Sequence, residues 1–260
     1  MLRFESNNLL IDFENQDKSR NWYCTDSKKN AIYKDNIEYN FNSLGYRTKE
    51  IQDLDKDFIL TTGCSYTEGV GLPQHKIWCN TLADKLDLDL FNIGKSATGP
   101  DIVYLNTIQY ILCNFPKPKL VVIQWPNNTR KSFGYKDTEN TVRLTDRNIG
   151  SSFFDSLCFN KFETMDTKWY ENRYIAEDGE TTINNYTHYC VTNLLWKTHG
   201  VPVFNWTWSG DFEPTHVFND LYIHNNQNND YARDGQHDGP LIHQEVAETL
   251  YNKLKNIISI

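Results

Sequence analysis

The sequence predicts an α/β fold: a three-layer α/β/α sandwich around a central parallel sheet. Two observations carry that expectation. Short apolar runs of strand length recur along the chain, and one-sided helical patterns lie between them, the alternation that builds βαβ units. With 260 residues the chain suits one large domain with insertions.

The first run, "FILTTG" (58–63), is closed by glycine and too short for three helical turns, so it reads as a buried strand. "LDLFNIG" (88–94), "KLVVIQW" (119–125) and "VPVFNWTW" (201–208) repeat the pattern. Between them Trp78, Leu82 and Leu86 recur every four residues. Ile102, Leu105, Ile108, Leu112 and Phe115 keep a 3–4 spacing, and Val191, Leu194 and Leu195 extend another apolar face. A last helix is expected from about Pro240, where the missing N–H costs nothing, with Ile242, Val246, Leu250, Leu254 and Ile257 turned to the sheet. Residues 1–57, polar and aromatic, read as an N-terminal extension packed on the core. Residues 58–260 form the main domain, interrupted at about 131–185 by an aromatic-rich insertion. "NNQNND" (225–230) reads as a loop.

Composition narrows the function classes. The net charge is −8, and the 26 lysines and arginines are scattered, so a phosphate backbone finds no basic stripe and nucleic acid is not the expected ligand. Cys24, Cys64, Cys79, Cys113, Cys158 and Cys190 are widely spaced without a CxxC pair. They read as free thiols in a reducing compartment, with neither a metal nor another cofactor expected. The start "MLRFESNNLLIDFENQ" has no basic segment followed by an apolar one, and no apolar run approaches the ~18 residues of a membrane span. A cytoplasmic location away from the membrane is expected, or a virion if the source is viral.

In an open parallel sheet, ligands bind beyond the carboxyl ends of the strands. The first strand end there carries Ser65, the second Gly94, and the third "QWPNNTR" with Asn127 and Asn128. "RDGQHDGPLIH" brings Asp234 and His237 just before the last helix. A serine, a glycine N–H, a side-chain amide and an Asp-x-x-His pair are the components of acyl transfer: nucleophile, oxyanion donors, base and orienting carboxylate. Each has a plainer reading. Gly-Cys-Ser after a strand is most often a turn, and Asp-Gly in an asparagine-rich loop is a turn as well. Cys64 neighbours Ser65 on extended backbone, so it points away from the face Ser65 uses and reads as a small buried hydrophobe. His243 lies six residues from His237, which does not place the two on one helical face, and it reads as support for the loop. Trp206 and Trp208 read as a sugar-stacking surface or, equally, as core beneath long loops. Arg130 reads as an anion ligand or as half of a surface ion pair.

Taken in order, these blocks resemble the SGNH or GDSL hydrolases: a Gly-x-Ser strand end, a glycine after the second strand, a Gly-x-Asn-Asp third strand end, and Asp-x-x-His before the last helix. The resemblance covers roughly residues 38–258 without the insertion, and it implies the flavodoxin-like SGNH hydrolase fold. It also implies Ser65 as nucleophile, His237 as base and Asp234 as its orienting acid. The Ser65 and Gly94 N–H groups with the Asn127 side chain, or Asn128 as the alternate, would form the oxyanion hole. "FNSLGYR" (41–47) resembles a segment found upstream of the nucleophile strand in members that act on acetylated carbohydrates. The departures are that Cys64 replaces the aspartate of "GDS", and that "WPNN" lacks the glycine of the third block and has Asn128 where the family has aspartate. The implied activity is removal of an O-acyl group, acetyl above all, from a carbohydrate or small-molecule ester. Arg130, Trp206 and Trp208 would then contact substrate. The rival reading is a non-catalytic binding or structural module, such as a virion component, on the same fold.

Overall fold

The computed structural model describes Ile37 and residues 39–96, 98–126, 131–136, 142–147, 178–208, 221–222, 230–232 and 237–255. Its centre is a five-stranded parallel sheet in the order β2-β1-β3-β6-β7. The strands are β1 (Phe58–Thr62), β2 (Asp89–Asn92), β3 (Leu120–Trp125), β6 (Val203–Thr207) and the two-residue β7 (Leu221–Tyr222). A separate antiparallel pair, β4 (Lys131–Lys136) and β5 (Val142–Arg147), opens the expected insertion. The helices are α1 (Ser65–Glu68), α2 (Trp78–Leu86), α3 (Pro100–Leu112), α4 (Asp178–Thr198) and α5 (Pro240–Leu254). Among the described residues no helix is long and apolar enough to cross a membrane.

Strand alternation sends side chains to two helical layers. Ile59, Leu120, Val122, Phe204 and Trp206 pack with Trp78, Leu82 and Leu86 of α2 and with Ile242, Val246, Leu250 and Leu254 of α5. Leu60, Val121, Ile123 and Trp125 face the other way, onto Val103 and Tyr110 of α3 and Tyr189 and Trp196 of α4. The sheet is therefore covered on both faces. Every residue of β1 and β3 is buried, which is why these strands read as unbroken apolar runs rather than as alternation.

The two helices over the second face are rotated from the expected stripes. Leu112 and Leu194 are exposed at 68% and 61%, while Asn106, Thr107 and Thr192 are buried. Buried polar groups need partners, and two of these find them: Tyr46 donates its hydroxyl to Asn106 Oδ1 at 3.0 Å, and Trp196 Nε1–H donates to Thr107 Oγ1 at 3.2 Å. Helix α4 also begins at Asp178, inside the range assigned to the insertion. Ile257 of the expected last stripe lies outside the described residues.

The described part of the N-terminal extension lies against β2 and α1. Asn42 Oδ1 accepts the N–H groups of Leu44 and Tyr46, and Gly45 takes a positive φ of 81° to close this turn. Thr48 Oγ1 donates to Leu90 O and accepts Asn92 N–H, which seats the segment beside the sheet edge.

Candidate active site

Ser65 stands where β1 gives way to α1. Gly63 and Cys64 carry the chain out of the strand, Cys64 in extended conformation as the N-cap, and Gly69 ends the helix in the left-handed region, its N–H donating to Ser65 O. A side chain at Gly63 would lie 2.8 Å from the Gln124 carbonyl oxygen and closer still to the Thr67 hydroxyl, so glycine is required by crowding. Gln124 of β3 holds the turn: its Oε1 accepts Cys64 N–H at 3.0 Å, the Cys64 thiol at 3.2 Å and the Thr67 hydroxyl at 3.0 Å. Cys64 is buried and directed into this polar corner, as a residue on the opposite side of the backbone from Ser65 should be.

His237 reaches the same place from the far end of the chain. A short ladder aligns it, with Ala232 N–H on His237 O at 2.8 Å, Gly239 N–H on Asp230 O at 2.9 Å, and an antiparallel bridge between Tyr231 and Asp238. Asp230 anchors the helix that follows, because its buried carboxylate accepts the Leu241 and Ile242 N–H groups at 2.8 and 2.9 Å. Across 172 residues of sequence the ladder brings His237 Nε2 to 2.8 Å from Ser65 Oγ. Ser65 is buried and His237 half-buried, so the pair is only partly open to solvent.

Aromatic rings hold the imidazole in place. Tyr66 meets His237 edge-on at 5.2 Å between ring centroids and stacks on Trp208 at 4.4 Å, while Trp208 leans on Trp206 and His243. Trp206 corrects the expectation that it contacts substrate: it is fully buried, edge-on to Trp78 inside the core. Trp208 is half-buried, with one face against Tyr66. His243 accepts Trp78 N–H on Nδ1 at 3.1 Å, satisfying the first turn of α2. Burial, and to a lesser degree the nearby His237, pushes the His243 imidazole down to about 3.

The donors expected for an oxyanion are placed unequally. Ser65 N–H opens α1, where helix N–H groups have no intrahelical partner. Gly94 N–H, expected as the second donor, is instead given to Asn92 Oδ1 at 2.9 Å, and the glycine is needed there because a Cβ would lie 2.6 Å from the Thr67 side chain. Gly99 is the buried N-cap of the 13-residue α3, in extended conformation, and the sequence reading passed over it. Its loop is bound to the carboxyl end of β1: Lys95 N–H and the Thr98 hydroxyl both donate to Gly63 O, at 3.0 and 3.2 Å. Asn127, Asn128, Arg130 and Asp234 lie outside the described residues.

A second group of residues, absent from the expected site, supports Ser65 from behind. Arg47 of the "FNSLGYR" segment is buried, stacks over Tyr39, and donates to Gly69 O at 2.7 Å and Leu72 O at 2.8 Å. It satisfies carbonyls at the end of α1. The only sequence signal for it was an arginine at the close of that short motif. Among the described residues no group of three or more His, Cys, Asp or Glu side chains could hold a metal ion.

No protein-family model matches the chain, and no curated protein matches it in sequence. Among solved structures it is similar to a lipolytic protein of the G-D-S-L family from Desulfitobacterium hafniense DCB-2, at 10% identity over 75% of this chain and 97% of that one, with a TM-score of 0.46. It is similar to an acetyl xylan esterase from the rumen bacterium Butyrivibrio proteoclasticus at 10% identity and a TM-score of 0.49, covering 77% of this chain and 64% of that one. A psychrotrophic esterase from Pseudoalteromonas sp. shares 11% identity over 78% of this chain and all of its own length, with a TM-score of 0.45.

Proposed function

We propose that the chain is a serine ester hydrolase that removes an O-acyl group, acetyl above all, from a carbohydrate. The observation that carries the reading is the 2.8 Å approach of His237 Nε2 to Ser65 Oγ, with Ser65 at the start of a helix beyond the end of a central strand. A hydroxyl becomes a useful nucleophile when a base takes its proton, and the approach of His237 supports it in that role. With the imidazole proton on Nδ1, Nε2 accepts the Ser65 proton as Oγ attacks the ester carbonyl. The resulting imidazolium protonates the departing alcohol oxygen. Water then attacks the acyl-serine by the reverse sequence, releasing the carboxylic acid and restoring Ser65. Asp234, three residues before His237 in the sequence, is the carboxylate proposed to hold Nδ1–H.

The tetrahedral oxyanion is assigned to Ser65 N–H and to Gly99 N–H, taking the place first expected of Gly94, whose N–H is already given to Asn92. The Asn127 side chain, with Asn128 as alternate, remains the proposed third donor. Loss of one such donor costs on the order of 10²–10³ in kcat.

The test is acetate release from p-nitrophenyl acetate and from an acetylated oligosaccharide, by the wild-type chain and by Ser65→Ala. The wild type should turn over both, and the alanine variant neither, with its circular dichroism unchanged. Retained turnover in Ser65→Ala would remove Ser65 as nucleophile. A folded wild type inert to both esters would favour a non-catalytic module.

A further inference from the structure

Two charged side chains are buried directly behind the nucleophile turn, and the acyl chemistry does not use them. Glu68 ends α1, three residues after Ser65, and is fully buried; Lys95, in the loop after β2, is 4% exposed. Glu68 Oε2 accepts Ser96 N–H at 2.6 Å, and its Oε1 lies 3.8 Å from Lys95 Nζ. The Lys95 ammonium also donates to Gly45 O at 3.4 Å and lies 5.3 Å from the Phe41 ring centroid. One carboxylate thus joins the helix carrying Ser65 to the loop that leads to Gly99.

Burying an ion pair is expensive, and apolar residues of similar volume pack at least as well, so packing alone does not account for the pair. What it supplies is direction: two charges that must stay together fix the elements that bear them. We propose that Glu68 and Lys95 are positioning residues whose buried pair locks the loop ending at Gly99 against the Ser65 turn, setting the separation of nucleophile and oxyanion donor. Such a separation is demanding, since a misplacement of about 1 Å costs on the order of 100-fold in rate. The consequence for rate rests on the hydrolase reading above; the tie between the two elements does not.

Two measurements on the full-length protein separate these layers. The variants are Glu68→Gln, which keeps an acceptor for Ser96 N–H but strands the Lys95 charge, Lys95→Met, the double variant carrying both changes, and Glu68→Ala with Lys95→Met. In steady-state hydrolysis of p-nitrophenyl acetate, each single variant should lose about tenfold or more in kcat with KM within about twofold, the sign of an effect confined to the transition state. The Gln/Met double variant, neutral and still bonded to Ser96, should recover most of the loss; the Ala/Met variant should not. In amide hydrogen exchange, Ser96 and Gly99 should exchange about tenfold or more faster in Ala/Met than in wild type, while β1 and β3 stay protected. If the single variants do not fold, the Gln/Met and Ala/Met proteins still form the decisive comparison. Equal kcat in those two, or unchanged exchange in the loop, overturns the proposal. A wild type without esterase activity overturns the hydrolase reading alone, and the exchange result then decides the tie.

Discussion

At the scale of single residues, His243 shows how position overrides residue type. A histidine near a proposed catalytic histidine invites a chemical role, yet its Nδ1 is occupied by Trp78 N–H and its ring is sealed among Trp208 and the core. Held near 3 against an ordinary value of 6.5, it stays neutral in the folded protein over a range where the unfolded chain takes up a proton. Between those two values the unfolded state binds more protons, so stability is lost as pH falls from 6.5 towards 3. His243 should contribute a slope of about 1.4 kcal/mol per pH unit across that window. His243→Asn, whose Oδ1 can take the Trp78 N–H, should show a shallower fall in the urea-unfolding free energy between pH 6.5 and 4.5. Equal slopes in the two proteins would mean that the His243 ring titrates normally. Gly94 and Gly99 give the same lesson for backbone: the former is held by contact with Thr67 and by Asn92, a fact of three dimensions that no strand-end pattern contains.

Among the elements, the turn from β1 into α1 is organised by a neighbouring strand. Gln124 Oε1 serves Cys64 and Thr67 together, so Gln124→Met removes the acceptor from several buried donors while conserving volume. Each stranded donor costs about 1–3 kcal/mol. The variant should lose several degrees of Tm by calorimetry and lose turnover as well, because the same turn carries Ser65; an unchanged Tm would contradict the role given to Gln124. The helices over the second face make a contrasting pair. Leu112, exposed at 68%, should tolerate serine within about 0.5 kcal/mol, whereas fully buried Trp196→Ala should cost about 3–5 kcal/mol in urea unfolding. Reversal of that order would restore the stripe expected from periodicity. The periodic reading of α3 and α4 missed because it counts apolar side chains alone. The face that packs uses Tyr46, Asn106, Thr107 and Trp196, joined by hydrogen bonds from segments far apart in sequence. Helices α2 and α5, whose buried residues are nearly all apolar, were legible from Trp78 to Leu86 and from Ile242 to Leu254.

For the whole molecule, the sheet was legible because its strands are buried on both faces and leave uninterrupted apolar runs, as in "FIL" and "LVVI". Ser65 and His237 could be paired from sequence because parallel topology sends strand ends to one edge, and the last loop returns there before α5. The supporting shell was not legible. Arg47, Glu68, Lys95, Gln124 and Asp230 are polar residues whose roles depend on burial, and a linear pattern gives no burial for a charge. Of the two readings of Trp206, platform and core, burial supports the core, a choice that an aromatic beside a strand end does not reveal in sequence. The outcome is a parallel sandwich that places a serine and a histidine, 172 residues apart, within a hydrogen bond of each other.

The measurement that tests the central claim most directly is intact-mass and peptide analysis after reaction with a fluorophosphonate, which labels a serine only when a base and oxyanion donors activate it. The wild-type chain should gain one adduct, located on Ser65. Ser65→Ala should gain none, and His237→Ala should react far more slowly. A folded wild type that gains no adduct, or an adduct that persists at another residue in Ser65→Ala, would contradict the assignment of Ser65 and His237 as the reacting pair.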